Sequence, residues 1–214
     1  MRAPPAPRPN PRTVELETYL NDLASADPTP GGGSAATVVG ALGTALLAMV
    51  ARITLESARL APVHDAARAV AAQADWLREA FGAARPVDEA AYGAVVAAMA
   101  LPRATEAEKA ARTATLQAAL AGAAEAPLMV AELCAAAMAV AAAGAALENR
   151  HLMSDIECGV RFLRAAFEAS AANVRINHDF LKDAATIEAQ QTRLEAARQA
   201  LARDESAAAQ HFAT

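Results

Sequence analysis

The sequence predicts an all-α protein, a single-domain antiparallel helical bundle. No stretch alternates between apolar and polar residues with the period of two that marks strands. Apolar residues instead recur at helical spacing between turn residues. Of the 214 residues, 55% are hydrophobic and only 4% are aromatic, because alanine dominates the apolar set. Alanine buries little area, so its helices must pack closely, and such flat faces also suit a homodimer.

Proline and glycine divide the first part of the chain into helices. Leucines at i, i+4 and i+7 predict a first helix near 14–25. Residues 27–33 (DPTPGGG) cannot continue it, and Ser34 is a natural N-cap for a second helix that ends near residue 60. One face of this helix should allow close backbone approach through three small residues, Ala36, Gly40 and Thr44.

The remaining helix ends are predicted from proline and from capping boxes. Pro86 and Pro127 should each begin a helix, because proline fits a first turn and disrupts a helix interior. Residues 105–108 (TEAE) and 154–157 (SDIE) have the capping-box pattern. These signals predict helices at 63–83, 86–101, 105–124, 127–147, 154–181 and 184–209.

Composition argues against several classes of partner. The chain has 19 Lys and Arg against 24 Asp and Glu, and the basic residues are scattered, so we expect no nucleic-acid surface. Its four histidines lack the paired spacing of zinc sites, so we expect no metal site. Cys134 and Cys158 lie in apolar helical patterns, which predicts buried free thiols.

Neither the N-terminus nor the apolar stretches predict a membrane segment. Residues 1–12 form a proline-rich arm without the apolar core of a signal peptide, so we expect a disordered arm before one domain at 13–214. The apolar stretch at 35–51 is shorter than the ~20 residues of a span. The stretch at 126–147 is mostly alanine and contains Glu132. We therefore expect a soluble cytoplasmic protein with no membrane partner.

The segment PTPGGGS at 28–34 is the most unusual part of the sequence. Gly31, Gly32 and Gly33 would let the backbone approach a ligand, and the following helix offers unpaired N–H groups to an anion or carbonyl. A flexible connection explains the segment equally well. It lacks the lysine of a phosphate-binding loop, so we expect no nucleotide site.

Several polar residues have both a functional and a structural explanation. Asp88 and Asp155 lie in predicted first turns, where a carboxylate interacts favourably with the helix dipole by at most about 1 kcal/mol. Asn173 and Asn177 share one face of a helix rich in aliphatic residues. Their amides need partners, which a ligand or the core could provide.

Read in order, these segments match a known pattern from about residue 14 to residue 190. It comprises 30–36 (PGGGSAA), 49–54 (MVARIT), 88–92 (DEAAY), 101–105 (LPRAT), 108–112 (EKAAR), 126–128 (APL), Asn149, 154–155 (SD), 173–177 (NVRIN) and Asp183. Each piece is weak alone, and their collinear order is specific. The chain resembles the cyclodeaminase/cyclohydrolase family of folate one-carbon metabolism.

The resemblance implies an all-helical dimer that acts on a one-carbon-substituted tetrahydrofolate. The expected reaction is hydrolysis of the methenyl bridge of 5,10-methenyltetrahydrofolate to 10-formyltetrahydrofolate. The alternative is a formiminotetrahydrofolate cyclodeaminase that releases ammonia. Some members of the family carry an additional formiminotransferase domain, and from the length of this sequence we expect a stand-alone cyclohydrolase or a separate cyclodeaminase. Both reactions require proton transfer, and neither requires a metal or an oxidant. The resemblance therefore implies no cofactor, with the tetrahydrofolate derivative as the substrate.

The resemblance also assigns site residues. The family's aspartate corresponding to Asp88 donates or accepts the proton, so Asp88 is the predicted catalytic residue. The predicted substrate-binding residues are Gly31, Gly32, Gly33, Ser34, Thr54, Ser154, Asp155, Asn173 and Asn177.

The chain departs from the family pattern at three places. After Thr54 the family has a glycine and two or three lysines, which would neutralise the glutamate tail of folate. In this chain, residues 55–60 (LESARL) contain one basic residue, Arg59. Glu148 replaces a glycine, and Tyr92 replaces a phenylalanine. These changes leave a further alternative, a divergent non-catalytic binding protein on the same scaffold.

Overall fold

The computed structural model describes residues 15–212, so the predicted disordered arm at 1–12 lies outside the described residues. The described residues are helical and contain no strand, which confirms the predicted fold class. The α-helices are α1 (Leu16–Leu23), α2 (Gly32–Glu56), α3 (His64–Met99), α4 (Glu106–Ala145), α5 (Met153–His178) and α6 (Ala184–Ala209). Two 3₁₀ helices, Ala58–Val63 and Arg150–Leu152, lie in the connections before α3 and α5.

Helices α2, α3, α4 and α5 form a closed four-helix arrangement. Each packs against the next, α5 returns to α2, and α6 packs on α4. The short connections make consecutive helices antiparallel. One end, which we call the pocket end, therefore brings together Gly33, Asp88 and Asn173. At the opposite, distal end, Thr54 at the end of α2 contacts Asn149 after α4.

Small residues allow α2 to approach its neighbours closely. A Cβ atom added at Gly43 would lie 3.1 Å from the carbonyl oxygen of Gly159, so the α2 and α5 backbones touch here. At Gly40 a Cβ would lie 2.5 Å from the ring of Phe81, which is fully buried. The predicted close packing is present, although Gly40 receives an aromatic side chain and the backbone contact occurs one turn later.

The predicted helix breaks at Pro86 and Pro127 are wrong, because α3 and α4 each continue through their proline. An interior proline costs about 3 kcal/mol in an isolated helix. Here the packing of both halves of each helix against its neighbours offsets this cost. Pro127 also has no N–H for the carbonyl of Ala123, four residues earlier. That carbonyl instead accepts a hydrogen bond from Asn177 Nδ2 at 3.0 Å.

The predicted helix caps have mixed outcomes. The capping box between Thr105 and Glu108 is present in both directions. The box predicted at 154–157 is wrong, because the 3₁₀ helix Arg150–Leu152 leads directly into α5 and Ser154 already lies inside its first turn. Ser34 is likewise not a cap. Helix α2 begins at Gly32, so the Ser34 hydroxyl is available for other contacts.

The two cysteines are free thiols, as predicted, but only Cys134 is buried. Burial raises the pKa of the Cys134 thiol. Cys158 is exposed because α5 directs Ile156, Gly159 and Val160 into the core and turns the residue between them outward. The expectation of burial was therefore wrong for Cys158.

Helices α2 and α4 are long and apolar enough to cross a membrane by length and composition. Within the fold, 44% and 61% of the residues in their most apolar stretches are buried. Both belong to the central four-helix arrangement, and buried core helices meet the same criteria. This is weak support for a membrane span, and the absence of a membrane partner stays a prediction.

Candidate active site

A cavity of about 280 Å³ opens at the pocket end of the bundle. Four helices contribute to it: the start of α2, the second half of α3, the proline region of α4 and the end of α5. It brings together six of the ten residues predicted from the sequence, and Tyr92 and Pro127 also line it. The six predicted residues are Gly31, Gly32, Gly33, Asp88, Asn173 and Asn177.

The carboxylate of Asp88 lies directly against the first turn of α2. A Cβ atom added at Gly33 would fall 2.2 Å from Oδ1 and 2.5 Å from Oδ2 of Asp88. Only glycine at this position leaves room for the carboxylate. The glycine segment is therefore not merely a flexible connection, because it lets α3 bring an acidic group against a helix N-terminus.

Burial raises the pKa of Asp88, and the nearby negative charge of Glu89 raises it further. A hydrogen bond from the backbone N–H of Ser34 acts in the opposite direction and stabilises the carboxylate. A helix dipole at the N-terminus of α3 is not the explanation for Asp88, because the residue lies in the interior of that helix. A pKa moved toward neutral pH favours a carboxyl group that exchanges protons.

A buried hydrogen-bond chain supports the pocket from behind. The Ser34 hydroxyl donates to Oε1 of Glu89 at 2.9 Å, and its oxygen lies 3.0 Å from the hydroxyl of Tyr19. Because Ser34 has given its only proton to Glu89, Tyr19 donates to Ser34. Arg85 also donates to Oε1 of Glu89 at 2.9 Å. Ser34 is fully buried, so it orders the site and does not line it.

The two predicted asparagines are fixed by backbone carbonyls. Asn177 Nδ2 donates to Ala123 O at 3.0 Å and to Asn173 O at 2.8 Å. Asn173 Nδ2 donates to Ala169 O at 2.9 Å. Both amide nitrogens are thus engaged, which leaves the Oδ1 atoms as acceptors for a ligand in the cavity. The structure therefore shows the core hydrogen bonding of this pair, and contact with a ligand through the two Oδ1 atoms stays a prediction.

Besides Ser34, which lies behind the cavity, three predicted site residues lie far from it. Thr54 is 21 residues after Gly33 in the same helix, or roughly 30 Å away. It is fully buried, and its hydroxyl accepts from Asn149 Nδ2 at 3.1 Å and donates to Val50 O at 2.8 Å. Ser154 and Asp155 lie at the start of α5, roughly 27 Å from Asn173. The structure does not bring these three to Asp88.

Sequence reasoning missed two residues that shape the site. Pro127 was interpreted as a helix start, although a proline inside a helix frees the carbonyl four residues earlier, which is the acceptor for Asn177. Glu89 was passed over, although its spacing from Arg85 is that of a helical ion pair. Asp183, by contrast, caps α6 through Ala185 N and the Thr186 hydroxyl, as expected for a structural residue.

The acidic groups of the site do not form a metal centre. Within residues 15–212, no group of three or more His, Cys, Asp or Glu side chains is arranged to hold a metal ion. What the cavity offers is one carboxyl group with a raised pKa, flanked by glycine backbone and two oriented amides. This arrangement can bind a flat polar ring and move a proton at its edge.

Known proteins resemble this chain over most of its length. It is 36% identical to the methenyltetrahydrofolate cyclohydrolase of Methylorubrum extorquens over 84% of this chain and 86% of that protein. It is 32% identical to the formimidoyltransferase-cyclodeaminase of Rattus norvegicus over 79% of this chain but only 31% of that longer protein.

The fold also matches a solved structure. The crystal structure of formiminotetrahydrofolate cyclodeaminase from Thermotoga maritima superposes with a TM-score of 0.84 at 24% identity. The match covers 93% of this chain and 96% of that one. Residues 15–196 match the formiminotransferase-cyclodeaminase family. The chain belongs to this family, as the sequence pattern indicated.

Proposed function

We propose that this protein hydrolyses 5,10-methenyltetrahydrofolate to 10-formyltetrahydrofolate. The observation that carries the proposal is the position of Asp88, a half-buried carboxyl group with a raised pKa pressed against Gly33 at the mouth of a cavity. The relative from Methylorubrum extorquens, which matches along 86% of its length, supports the same reaction.

The chemistry needs one group that takes a proton and returns it. Water adds to the methenyl carbon while the Asp88 carboxylate accepts a proton from it, which gives a neutral hydroxyl adduct. The bond between that carbon and N5 then breaks. Asp88 donates its proton to N5 as the hydroxyl loses its own proton to solvent and becomes the formyl oxygen. The net reaction adds one water to the cationic substrate and releases one proton.

The surrounding groups would bind and orient the substrate. The negative charge of Asp88 favours the cationic methenyl form in a site partly shielded from water. The Oδ1 atoms of Asn173 and Asn177 are acceptors of the kind that the N–H groups of a pterin require. The open backbone of Gly31 and Gly32 lets the ring approach without side-chain obstruction.

A second candidate reaction is cyclodeamination of 5-formiminotetrahydrofolate. It is favoured by the family match and by the relative from Rattus norvegicus. N10 would attack the formimino carbon and lose its proton to the imino nitrogen, which would leave as ammonia after it gains a second proton. The same carboxyl group would supply the second proton, so the pocket does not separate the two reactions.

Purified protein supplied with each substrate separately distinguishes the candidates. A cyclohydrolase accelerates the loss of methenyl absorbance above the spontaneous rate and releases no ammonia from the formimino substrate. A cyclodeaminase releases ammonia and forms the methenyl product. If neither substrate is consumed faster than in buffer, the catalytic proposal is wrong, and a non-catalytic binding protein becomes the better description.

We further propose that the protein is a cytoplasmic homodimer. Helix α2 exposes large apolar side chains on one face, at Leu42, Met49 and Ile53, although neighbouring positions pack in the core. Such a stripe is typical of a helix that meets another subunit. Light scattering should give about twice the 22.0 kDa chain mass. A monomer at micromolar concentration would exclude this assembly.

A further inference from the structure

A second, larger groove continues from the candidate active site. Its volume is about 560 Å³, and it shares Tyr92, Asn173 and Asn177 with the first cavity. It runs between α3 and α4 and reaches the connection after α5, where Phe180 and Lys182 lie. The two cavities therefore form one continuous path that starts at Asp88.

The wall of this groove is apolar and open to solvent. Tyr92, Met99, Ile176 and Phe180 line it and are 44% to 63% exposed. Isolated exposed apolar residues are ordinary, but four that line one groove form a surface suited to an apolar or aromatic ligand group. Aromatic rings at the groove, such as Phe180, can stack on another ring.

The charged residues that line the groove, Arg112 and Lys182, are both cationic. Neither forms an ion pair with a carboxylate in the described part of the chain. This is notable in a chain with a net charge of −5. A site with two available cations and no acidic lining residue is complementary to carboxylates.

Hydrogen bonds hold the backbone and side chains around these cations in place. Arg112 Nε donates to Met99 O at 3.2 Å, which fixes the guanidinium at the end of α3. Gln117 accepts from Lys182 N at 2.7 Å and donates to Phe180 O at 3.1 Å. Gln117 thereby ties α4 to the segment that carries both the aromatic wall and the second cation.

The spacing matches the shape of a folate. Met99 is 11 residues after Asp88 in α3, or roughly 16 Å at the rise of an α-helix. A tetrahydrofolate carries a bicyclic ring, an aminobenzoyl ring and a glutamate tail, and its extended length is comparable. The 280 Å³ cavity beside Asp88 suits the bicyclic ring, and the groove then offers apolar walls followed by cations.

We propose that this groove binds the aminobenzoyl-glutamate part of the substrate, with Arg112 and Lys182 holding its carboxylates. The inference rests on the proposed function, because it extends the same site. It also gives the tail a binding region other than residues 55–60, which follow Thr54 at the distal end. The absence of the family's lysines from residues 55–60 then does not remove the cations that hold the tail, because Arg112 and Lys182 lie in the groove.

The test compares Arg112→Gln, Lys182→Gln and the double variant with Lys109→Gln. Lys109 is the matched control, because it lies one turn before Arg112, is exposed and pairs with Glu106 outside the groove. With 5,10-methenyltetrahydrofolate monoglutamate and triglutamate, each groove variant should raise KM about tenfold. Its kcat should stay within about twofold, since the tail binds equally in ground and transition states. Lys109→Gln should change neither.

Calorimetry with 4-aminobenzoyl-glutamate separates this inference from the proposed function. Binding to the parent that weakens about tenfold in Lys182→Gln supports the groove, even if the parent turns over no folate. An active parent whose groove variants keep the parental KM for both substrates overturns the groove assignment. Lys182 is exposed, so its variant should fold normally, and melting temperature checks Arg112→Gln.

Discussion

Both ends of the bundle place polar side chains inside the fold, but the surroundings of those side chains differ. At the pocket end, Asp88 and Asn177 are half-buried and face a cavity, and burial raises the pKa of the carboxyl group. At the distal end, Thr54 and Asn149 are buried and bonded to each other. A polar residue that matches a family pattern can thus either face the candidate active site or join two parts of the fold by a hydrogen bond. Whether the side chain lines a cavity or is buried and hydrogen-bonded distinguishes the two cases.

This contrast has an energetic signature. The pocket end keeps a carboxylate in a partly desolvated site, which disfavours its charged form. The distal end satisfies its buried polar groups, which favours the folded state. Substitutions at the pocket end should therefore affect turnover more than stability. Substitutions at the distal end should do the reverse.

Among the substitutions that leave Asp88 itself unchanged, the largest expected effect is that of Gly33→Ala. The added Cβ would fall 2.2 Å from Asp88 Oδ1, so the carboxylate must move away from the start of α2. A displacement of this size should reduce turnover by about 100-fold or more. Steady-state turnover of 5,10-methenyltetrahydrofolate measures it.

Gly93→Ala in α3 is the matched control, because a Cβ there meets nothing within 4 Å. It should leave turnover unchanged and stabilise the helix by up to about 1 kcal/mol. Parental turnover in Gly33→Ala would show that the close contact with Asp88 has no catalytic importance.

At the distal end, Thr54→Val should destabilise the fold and spare turnover. Valine has a similar shape but no acceptor for Asn149 Nδ2, which stays buried. The expected loss is about 1–3 kcal/mol of unfolding free energy, measured by chemical denaturation. Thr192→Val, on the exposed face of α6, should cost less than about 0.5 kcal/mol. A large drop in kcat for folded Thr54→Val would instead support its predicted contact with substrate.

Glu148→Gly should stabilise the protein slightly. Glu148 has a φ of 53°, in the left-handed region that disfavours residues with a Cβ. Glycine removes that strain, although it adds freedom to the unfolded chain, so the net gain should be at most about 1 kcal/mol. Thermal unfolding measures it. A lower melting temperature would mean that the glutamate side chain makes a compensating contact.

The smallest expected effect is that of Glu89→Gln on the pH profile. The charge of Glu89 contributes to the raised pKa of Asp88, so removing it lowers that pKa. The acid limb of the rate profile, which follows deprotonation of Asp88, should move to lower pH. The glutamine can still accept from Ser34, so the site should keep its shape. An acid limb that stays in place would mean that another group controls it.

Most of the fold followed from local patterns, and the failures share one cause. Helix α6 was predicted at its observed bounds, and its start carries a local signal, the capping residue Asp183. The breaks at Pro86 and Pro127 were wrong because tertiary packing offset a local penalty. The positive φ at Glu148 gives a physical reason for the family's glycine there, which the sequence presented only as a departure.

The site was predictable in its residue types and not in its geometry. The glycine segment, Asp88 and the two asparagines were identified from sequence and do meet in one cavity. Their roles depend on contacts between helices, such as the freed carbonyl of Ala123 that fixes Asn177. Thr54, Ser154 and Asp155 were grouped with them only by resemblance, and the length of the helices separates them.

Asp88→Asn tests the central claim most directly, with turnover and melting temperature measured on the same preparation. The substitution keeps the size of the side chain and an acceptor for the Ser34 N–H, and it removes the titrating charge. If Asp88 transfers the proton, turnover should fall about 10²–10⁴-fold.

The expected change in the stability of Asp88→Asn differs in direction from the change in its turnover. A carboxyl group whose pKa is raised by folding favours the folded state below its unfolded pKa, and this advantage is lost as pH rises through the folded pKa. At neutral pH, Asp88→Asn should therefore melt at the same or a higher temperature than the parent. Turnover within a few-fold of the parent in this folded variant would contradict the assignment of Asp88 as the proton-transfer residue.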